Sequence, residues 1–180
     1  MNLNNFTFNT TSGIRFGSGM SVSSSQEICK ILGSNILFIT DKDLMSLKLT
    51  EPTLNELKKF SSKVEIFEDV EADPSLKTLL NSIEIGKKMK ATGVIGFGGG
   101  SSMDVAKLTS LILGSDENIE EVWGVSNAKG PRLPLVLVPT TAGTGSEVTP
   151  ISIITVGEEE KKGVSSPIIL PDVAILDPDL

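Results

Sequence analysis

The alternation of short apolar runs with amphipathic helical patterns constrains the fold of this chain more than any other feature. Several of the runs are apolar throughout, which is typical of parallel strands that are covered on both faces. Strands that alternate with helices in this way predict an α/β fold, in which an open parallel sheet carries helices on its faces. The predicted core strands are Asn35–Thr40, Val64–Phe67, Val94–Phe97, Leu135–Val138 and Val173–Leu176.

The segments between these strands have apolar residues at helical spacing. The predicted helices are Ser21–Leu32, Pro52–Phe60, a segment that starts at Asp73-Pro74 and runs through Ile83, and Ser102–Leu113. Phe6–Phe16 predicts a hairpin at a sheet edge or in a subunit contact, and Ile151–Val156 predicts a strand before a charged turn over Gly157–Lys162. With 180 residues, the chain is expected to form one domain, residues 1–180.

Composition excludes several classes of function. The net charge of −7 and the pI near 4.7 disfavour nucleic acid and anionic membranes as partners, because both need a basic face. No apolar run is long enough for a membrane span, and the first residues lack the pattern of a signal peptide. The single cysteine, Cys29, fits a reducing cytoplasm.

The chain contains no histidine. Histidine is the commonest metal ligand and the usual general base near neutral pH. Any chemistry that this chain supports is therefore expected to use a bound cofactor, a carboxylate, a lysine or residues from elsewhere.

A glycine-rich turn follows the third predicted strand and opens the last predicted helix. It consists of Gly98, Gly99, Gly100 and Ser101. Glycines let a phosphate approach the backbone, and the start of the next helix directs unpaired N–H groups and a positive dipole end to the same place. Ser101 adds a hydroxyl donor or caps the helix. The turn lacks the G-x-G-x-x-G spacing, because Met103 stands at the third glycine position, and it lacks the lysine of a Walker loop. The alternative is a tight turn without a ligand.

A second donor-rich loop, residues 139–149, follows the next predicted strand. Its threonines, serine and glycines lie where parallel strands end, at the edge of the sheet that binds ligands in such folds. Asp41 ends an earlier strand, where an acidic residue commonly accepts hydrogen bonds from an adenosine ribose and repels a 2′-phosphate. This favours NAD over NADP. The alternative for Asp41 is a helix-capping or turn aspartate.

Three segments together closely resemble the iron-containing alcohol dehydrogenases, the group that includes lactaldehyde reductase and 1,3-propanediol dehydrogenase. They are GFGGGSSMDVAK (96–107), PTTAGTGSEVT (139–149) and SSPIILPDVAILDPDL (165–180). The resemblance implies a Rossmann-like, dehydroquinate synthase-like nucleotide-binding domain, followed in such enzymes by a helical domain that binds Fe²⁺ or Zn²⁺. Family members take their metal ligands, one aspartate and three histidines, from beyond the DPDL segment. The helical domain is therefore expected to be absent from this chain, which ends directly after a strand as a fragment of a longer protein would.

The resemblance also assigns residues to the cofactor. The GGGS turn becomes the pyrophosphate loop, the 139–149 loop approaches the diphosphate and the nicotinamide, and Asp41 falls at the adenosine ribose. Asp104 and Lys107 match a D-x-x-K pattern of the family. The alternative is that they mainly hold the GGGS turn in place through helix-start electrostatics. Lys161 matches, by its spacing alone, a lysine that lies near the ribose in the family. The alternative is that Lys161 belongs to a solvated run of charged residues. The expected cofactor residues are Asp41, Gly98, Gly99, Gly100, Ser101, Asp104, Thr140, Thr141, Thr144, Thr149, Lys161 and Leu176.

For the whole enzyme, the resemblance implies reversible hydride transfer between a primary alcohol or aldehyde and NAD, with the metal acting as a Lewis acid on the alcohol oxygen. The chain alone is expected to bind NAD weakly at best and to be inactive, and a homodimer is possible. Two alternatives stay open at this point. One is a stand-alone nucleotide-binding or regulatory module without catalysis, and the other is a relative such as a glycerol dehydrogenase or a dehydroquinate synthase.

Overall fold

The computed structural model describes residues 6–158 and 160–180. The strands are β1 (Gly13–Phe16), β2 (Asn35–Ile39), β3 (Lys63–Phe67), β4 (Gly93–Gly98), β5 (Gly124–Val125), β6 (Leu135–Pro139), β7 (Ile151–Val156), β8 (Glu160–Ser165) and β9 (Val173–Leu176). The helices are α1 (Met20–Ser23), α2 (Ser25–Leu32), α3 (Lys42–Ser46), α4 (Glu51–Phe60), α5 (Leu76–Met89), α6 (Gly100–Ser115) and α7 (Ile119–Val122), with 3₁₀ turns at Ser146–Val148 and Pro167–Ile169.

Six strands form the central sheet, in the order β1-β9-β6-β4-β2-β3, and all neighbours in it are parallel. From β2 the chain moves outward to β3, and it then returns to β4 and continues to the other side through β6 and β9. This reversal lies between β2 and β4, and open α/β sheets bind their ligands beyond the carboxyl ends of the strands at such a point. The predicted α/β fold with a mostly parallel sheet is confirmed.

Side chains that alternate along the strands build two cores. On one face, Leu37 and Val94 pack against α5 and α6, and on the other face Phe38 and Ile95 pack against α2 and α4. The rings of Phe38 and Phe97 stack on this second face with centroids 5.5 Å apart. All of these side chains are buried, which is why the core strands carry apolar residues at consecutive positions.

A second sheet of three strands, in the order β5-β8-β7, packs beside α6. β7 and β8 form an antiparallel hairpin, and the buried Ile154 and Val164 join it to the core beneath α6. The predicted strand Ile151–Val156 is β7 itself. Lys161 and Lys162, predicted to lie in a charged turn, belong to β8 instead, while Glu159 of that predicted turn lies outside the described residues.

Two further local predictions were wrong, and a predicted helix is interrupted at one residue. Phe6–Phe16 does not form a hairpin, because only Gly13–Phe16 is a strand and it pairs in parallel with β9. Ser21–Leu32 is divided into α1 and α2 at Ser24. Asp73 does not begin a helix, since its φ of 54° places it in a turn and Ser75 caps α5 by accepting from the Thr78 N–H. None of the described helices is both long enough and apolar enough to span a bilayer.

Candidate functional site

The loops after β2, β4 and β6 meet at the carboxyl edge of the sheet and enclose a cleft of about 540 Å³. The cleft lies where the strand order reverses. Six of the residues expected to bind a cofactor line it: Asp41, Gly99, Gly100, Ser101, Thr140 and Thr141. The structure therefore brings together residues that are far apart in the sequence, as the sheet topology requires.

The first turn of α6 faces this cleft without a side-chain cap. Gly99 is the N-cap residue and has no side chain to accept from the N–H groups that follow, whereas Asp41, Ser75 and Asn118 cap their own helices. Ser101 therefore does not cap α6, and the helix begins at Gly100 rather than at the predicted Ser102. Uncapped N–H groups at the positive end of a helix form a site for an anion.

Gly98 makes the turn that brings α6 to the cleft. Its φ is +149°, and a Cβ there would lie 2.7 Å from the Ser102 Oγ. Gly98 does not line the cleft, but its carbonyl accepts from the N–H of Thr140 at 3.0 Å. The glycine turn is therefore tied directly to the second loop.

The second loop separates the first cleft from another. Thr140 and Thr141 line both, and the second cleft, of about 380 Å³, also contains Leu176. Thr144 packs over the start of α6, where a Cβ on Gly100 would lie 3.2 Å from its methyl group. Thr149 lines none of these cavities, and its carbonyl accepts from Lys107 instead.

A third cavity, of about 210 Å³, continues from the first on the other side of Ser101. Asp104 and Lys161 line it, as does Asp73, whose carboxylate forms an ion pair with the Lys161 ammonium at 2.5 Å. The first and second cavities share the threonine pair as lining, and the first and third share Ser101, so the three lie next to one another. A ligand with a central anionic group and a further group on either side matches this arrangement.

Acidic residues predominate on one wall of the first cleft. They are Asp41, Asp43, Glu68, Asp69 and Glu71, and Lys42 on the same wall forms an ion pair with Asp69 at 2.5 Å. Asp41 caps α3, because its Oδ1 accepts from the Leu44 N–H at 2.9 Å. The capping alternative for Asp41 is thus observed, and it also places the carboxylate at the cleft. The negative charge of these side chains would repel a further phosphate, such as a 2′-phosphate, in this part of the cleft.

The described residues do not form a metal site. Within 6–158 and 160–180, no group of three or more histidine, cysteine, aspartate or glutamate side chains is arranged to hold an ion. The full sequence has no histidine. The donors that this chain offers are instead hydroxyls and backbone N–H groups, which suit phosphate.

Comparisons of the sequence and of the structure with known proteins point to the same family. The sequence model of the iron-containing alcohol dehydrogenases matches residues 11–178. The sulfoacetaldehyde reductase of Bilophila wadsworthia is 31% identical over 176 residues, which are 97% of this chain and 46% of that protein.

Among solved structures, 1,3-propanediol oxidoreductase superposes with a TM-score of 0.91 at 29% identity, over 97% of this chain and 46% of that one. The NAD⁺ complex of sulfoacetaldehyde reductase from Bifidobacterium kashiwanohense gives 0.85 at 29% identity, over 98% of this chain and 47% of that one. The chain spans a little under half the length of these proteins.

Proposed function

Because this chain belongs to the iron-containing alcohol dehydrogenase family, we propose that it binds NAD for hydride transfer between a primary alcohol and its aldehyde. The observation that carries the proposal is the uncapped start of α6, Gly99 to Ser101, which opens into the cleft where the strand order reverses. An NAD⁺ complex is known for a structure that this chain resembles.

In this proposal the adjoining cavities hold different parts of the dinucleotide. The diphosphate lies against the N–H groups of Gly100 and Ser101, and the Ser101 hydroxyl adds a donor. The Asp41 carboxylate accepts from the adenosine ribose. The threonine pair, expected from the sequence to approach the diphosphate and the nicotinamide, is proposed to border the adenosine instead, because it lines the same cleft as Asp41. The nicotinamide extends past Ser101 toward the third cavity. When bound, NAD supplies the hydride acceptor, and this chain orients it.

The described residues do not fit the metal that the family name implies, because they contain no suitable group of donors and the sequence has no histidine. We therefore derive no step through iron or zinc from these residues. Our expectation is that the purified chain, supplied with NAD, a primary alcohol and either metal ion, does not oxidise the alcohol. Formation of NADH at 340 nm measures this. Oxidation above a metal-free control would contradict the expectation.

Asp41 is proposed to select NAD over NADP, and Asp41→Asn tests this. The amide retains the capping oxygen of α3 and removes the charge. We expect the variant to bind NADP about tenfold more tightly than the wild type does, with little change for NAD, since a carboxylate near the 2′-phosphate repels it. Calorimetric titration with both cofactors measures the two affinities.

Asp43→Asn is the matched control, because Asp43 lines the same cleft and the variant loses the same charge. An equal gain in both variants would mean that the general field of the acidic wall, rather than Asp41, sets the preference. Equal affinity of the wild type for NAD and NADP would remove the role proposed for Asp41.

A homodimer through the free edge of β1 is a further proposal. β1 is the outer strand of the central sheet, and Ile14 and Phe16 on it are 50% and 72% exposed. An exposed edge with apolar side chains is a common pairing surface. Light scattering on the wild type and on Phe16→Ser, which we expect to be monomeric, tests it. A cytoplasmic location likewise stays a proposal, based on the single cysteine.

A further inference from the structure

A lysine without exposed surface lies in the second turn of α6. Lys107 is 0% exposed, which is rare for a charged side chain. Its ammonium donates to the Ser146 Oγ at 2.9 Å, to the Thr149 carbonyl at 3.0 Å and to the Ile151 carbonyl at 2.7 Å. An ammonium has three protons, so each of them is used. All three acceptors belong to the stretch that ends the second loop and begins β7.

Asp104, one turn earlier on the same helix, binds the same stretch. Its carboxylate accepts from the Ser146 Oγ at 2.6 Å and from the Ile153 N–H at 2.9 Å. It is also the nearest negative charge to the ammonium of Lys107, at 3.8 Å, and Glu147 adds a weaker attraction. Two side chains of α6 therefore hold one segment through five hydrogen bonds.

Burial governs the ionisation of this pair. It lowers the pKa of Lys107 to about 8, against the opposing effect of Asp104, and it raises the pKa of Asp104. At pH 7, below that value for Lys107, the ammonium is mostly charged and keeps its three protons. The hydrogen bonds described above are therefore the ones present near neutral pH.

The second loop is held at both ends by β4 and α6, the two elements that flank the glycine turn. Its near end is fixed where the Thr140 N–H donates to the Gly98 carbonyl at 3.0 Å. Its far end is fixed by Lys107, and its middle crosses the start of α6 at Thr144. Residues 141–144, between these two ends, are exposed. Fixing both ends sharply limits the positions that the intervening threonines adopt.

We propose that Lys107 is a positioning residue for the cofactor: it ties the second loop to α6, so that the glycine turn and the threonines form one preorganised surface. This inference rests on the proposed binding of NAD. Lys107 lies below the surface of the site and does not touch the ligand itself. Its effect on affinity comes from holding donors in place before the ligand arrives.

The test combines NAD titration at pH 7 with amide hydrogen exchange on the same variants. Lys107→Met retains much of the side-chain volume and removes the three donors. We expect its NAD affinity to fall about tenfold, because several buried hydrogen bonds to a charged group are lost. We also expect faster exchange over residues 140–153, while α5 exchanges as before. Ser146→Ala removes one acceptor and is expected to give the same local pattern to a smaller degree, which keeps the test valid if Lys107→Met does not fold.

Leu57→Ala is the control for general destabilisation. Leu57 is fully buried on the opposite face of the sheet, so its truncation lowers the melting temperature without touching either loop. The proposal expects Leu57→Ala to bind NAD as the wild type does. It is overturned if exchange over residues 140–153 is unchanged in both loop variants, or if Leu57→Ala loses as much affinity as Lys107→Met. If the wild type does not bind NAD, the proposed function fails, and the exchange data still test the tie by themselves.

Discussion

Replacing Gly99 with aspartate is expected to weaken NAD binding by about 100-fold or more, while the fold stays at least as stable as before. The N–H groups at the start of α6 lack a side-chain cap. An aspartate at the N-cap position would accept from them and so occupy the place proposed for the diphosphate. Its negative charge would also repel the diphosphate directly.

The backbone at Gly99 accepts this substitution. Its φ is −75° with an extended ψ, and the nearest atom to an added Cβ is the Thr141 Oγ1, at 3.5 Å. Aspartate is among the best N-cap residues, and its charge interacts favourably with the helix dipole, so we expect a gain of up to about 1 kcal/mol in the free energy of unfolding. Affinity and stability then change in opposite directions, which general damage to the fold does not produce.

Calorimetric titration with NAD and thermal unfolding measure the two effects. Gly99→Asn is the matched control, because asparagine has nearly the same size and capping ability without the charge. We expect it to lose less affinity than the aspartate variant. Wild-type affinity in both variants would show that the diphosphate does not bind at the start of α6.

Replacing Gly98 with alanine is expected to lower the free energy of unfolding by about 2–4 kcal/mol and to abolish NAD binding. Two causes add at this position. The φ of +149° is one that side chains rarely adopt, and the new Cβ would lie 2.7 Å from the Ser102 Oγ and 2.9 Å from its Cβ. Relief of that contact would shift the start of α6 and the carbonyl that holds Thr140.

Urea unfolding of this variant should be compared with that of Gly143→Ala. Gly143 also has a positive φ, of +119°, but nothing lies within 4 Å of an added Cβ there. That variant isolates the backbone strain, and we expect it to lose about 1–2 kcal/mol. Equal losses in the two variants would mean that the close contact with Ser102 contributes nothing to the effect.

The core of the fold was predictable from the sequence, because buried parallel strands are marked by their own composition. The apolar runs before Asp41, Gly99 and Thr140 matched β2, β4 and β6 to within a residue at each end. Once these strands are placed in a parallel sheet, their carboxyl ends must lie at one edge. The gathering of half of the expected cofactor residues at one cleft follows from that geometry.

The local predictions that failed have a different physical origin. The alternation in Phe6–Phe16 indicates a strand but contains no information about its partner, so the sequence could not distinguish a hairpin from parallel pairing with β9. Asp73-Pro74 indicated a helix start, but the cap is formed by Ser75 and α5 begins after it. The tie made by Lys107 was also hidden, because two of its three acceptors are backbone carbonyls and no residue type marks those.

The pairing of β1 with β9 has a consequence for the order of events during synthesis. Within the central sheet β1 pairs only with β9, and Gly13 is opposite Val173, almost the whole described chain away. β1 therefore cannot join the central sheet until β9, near the other end of the described chain, has been synthesised. Contacts of such long range slow folding, and until they form Phe16 belongs to an unpaired apolar segment of the nascent chain. A chaperone that recognises short apolar stretches would find a target in this segment.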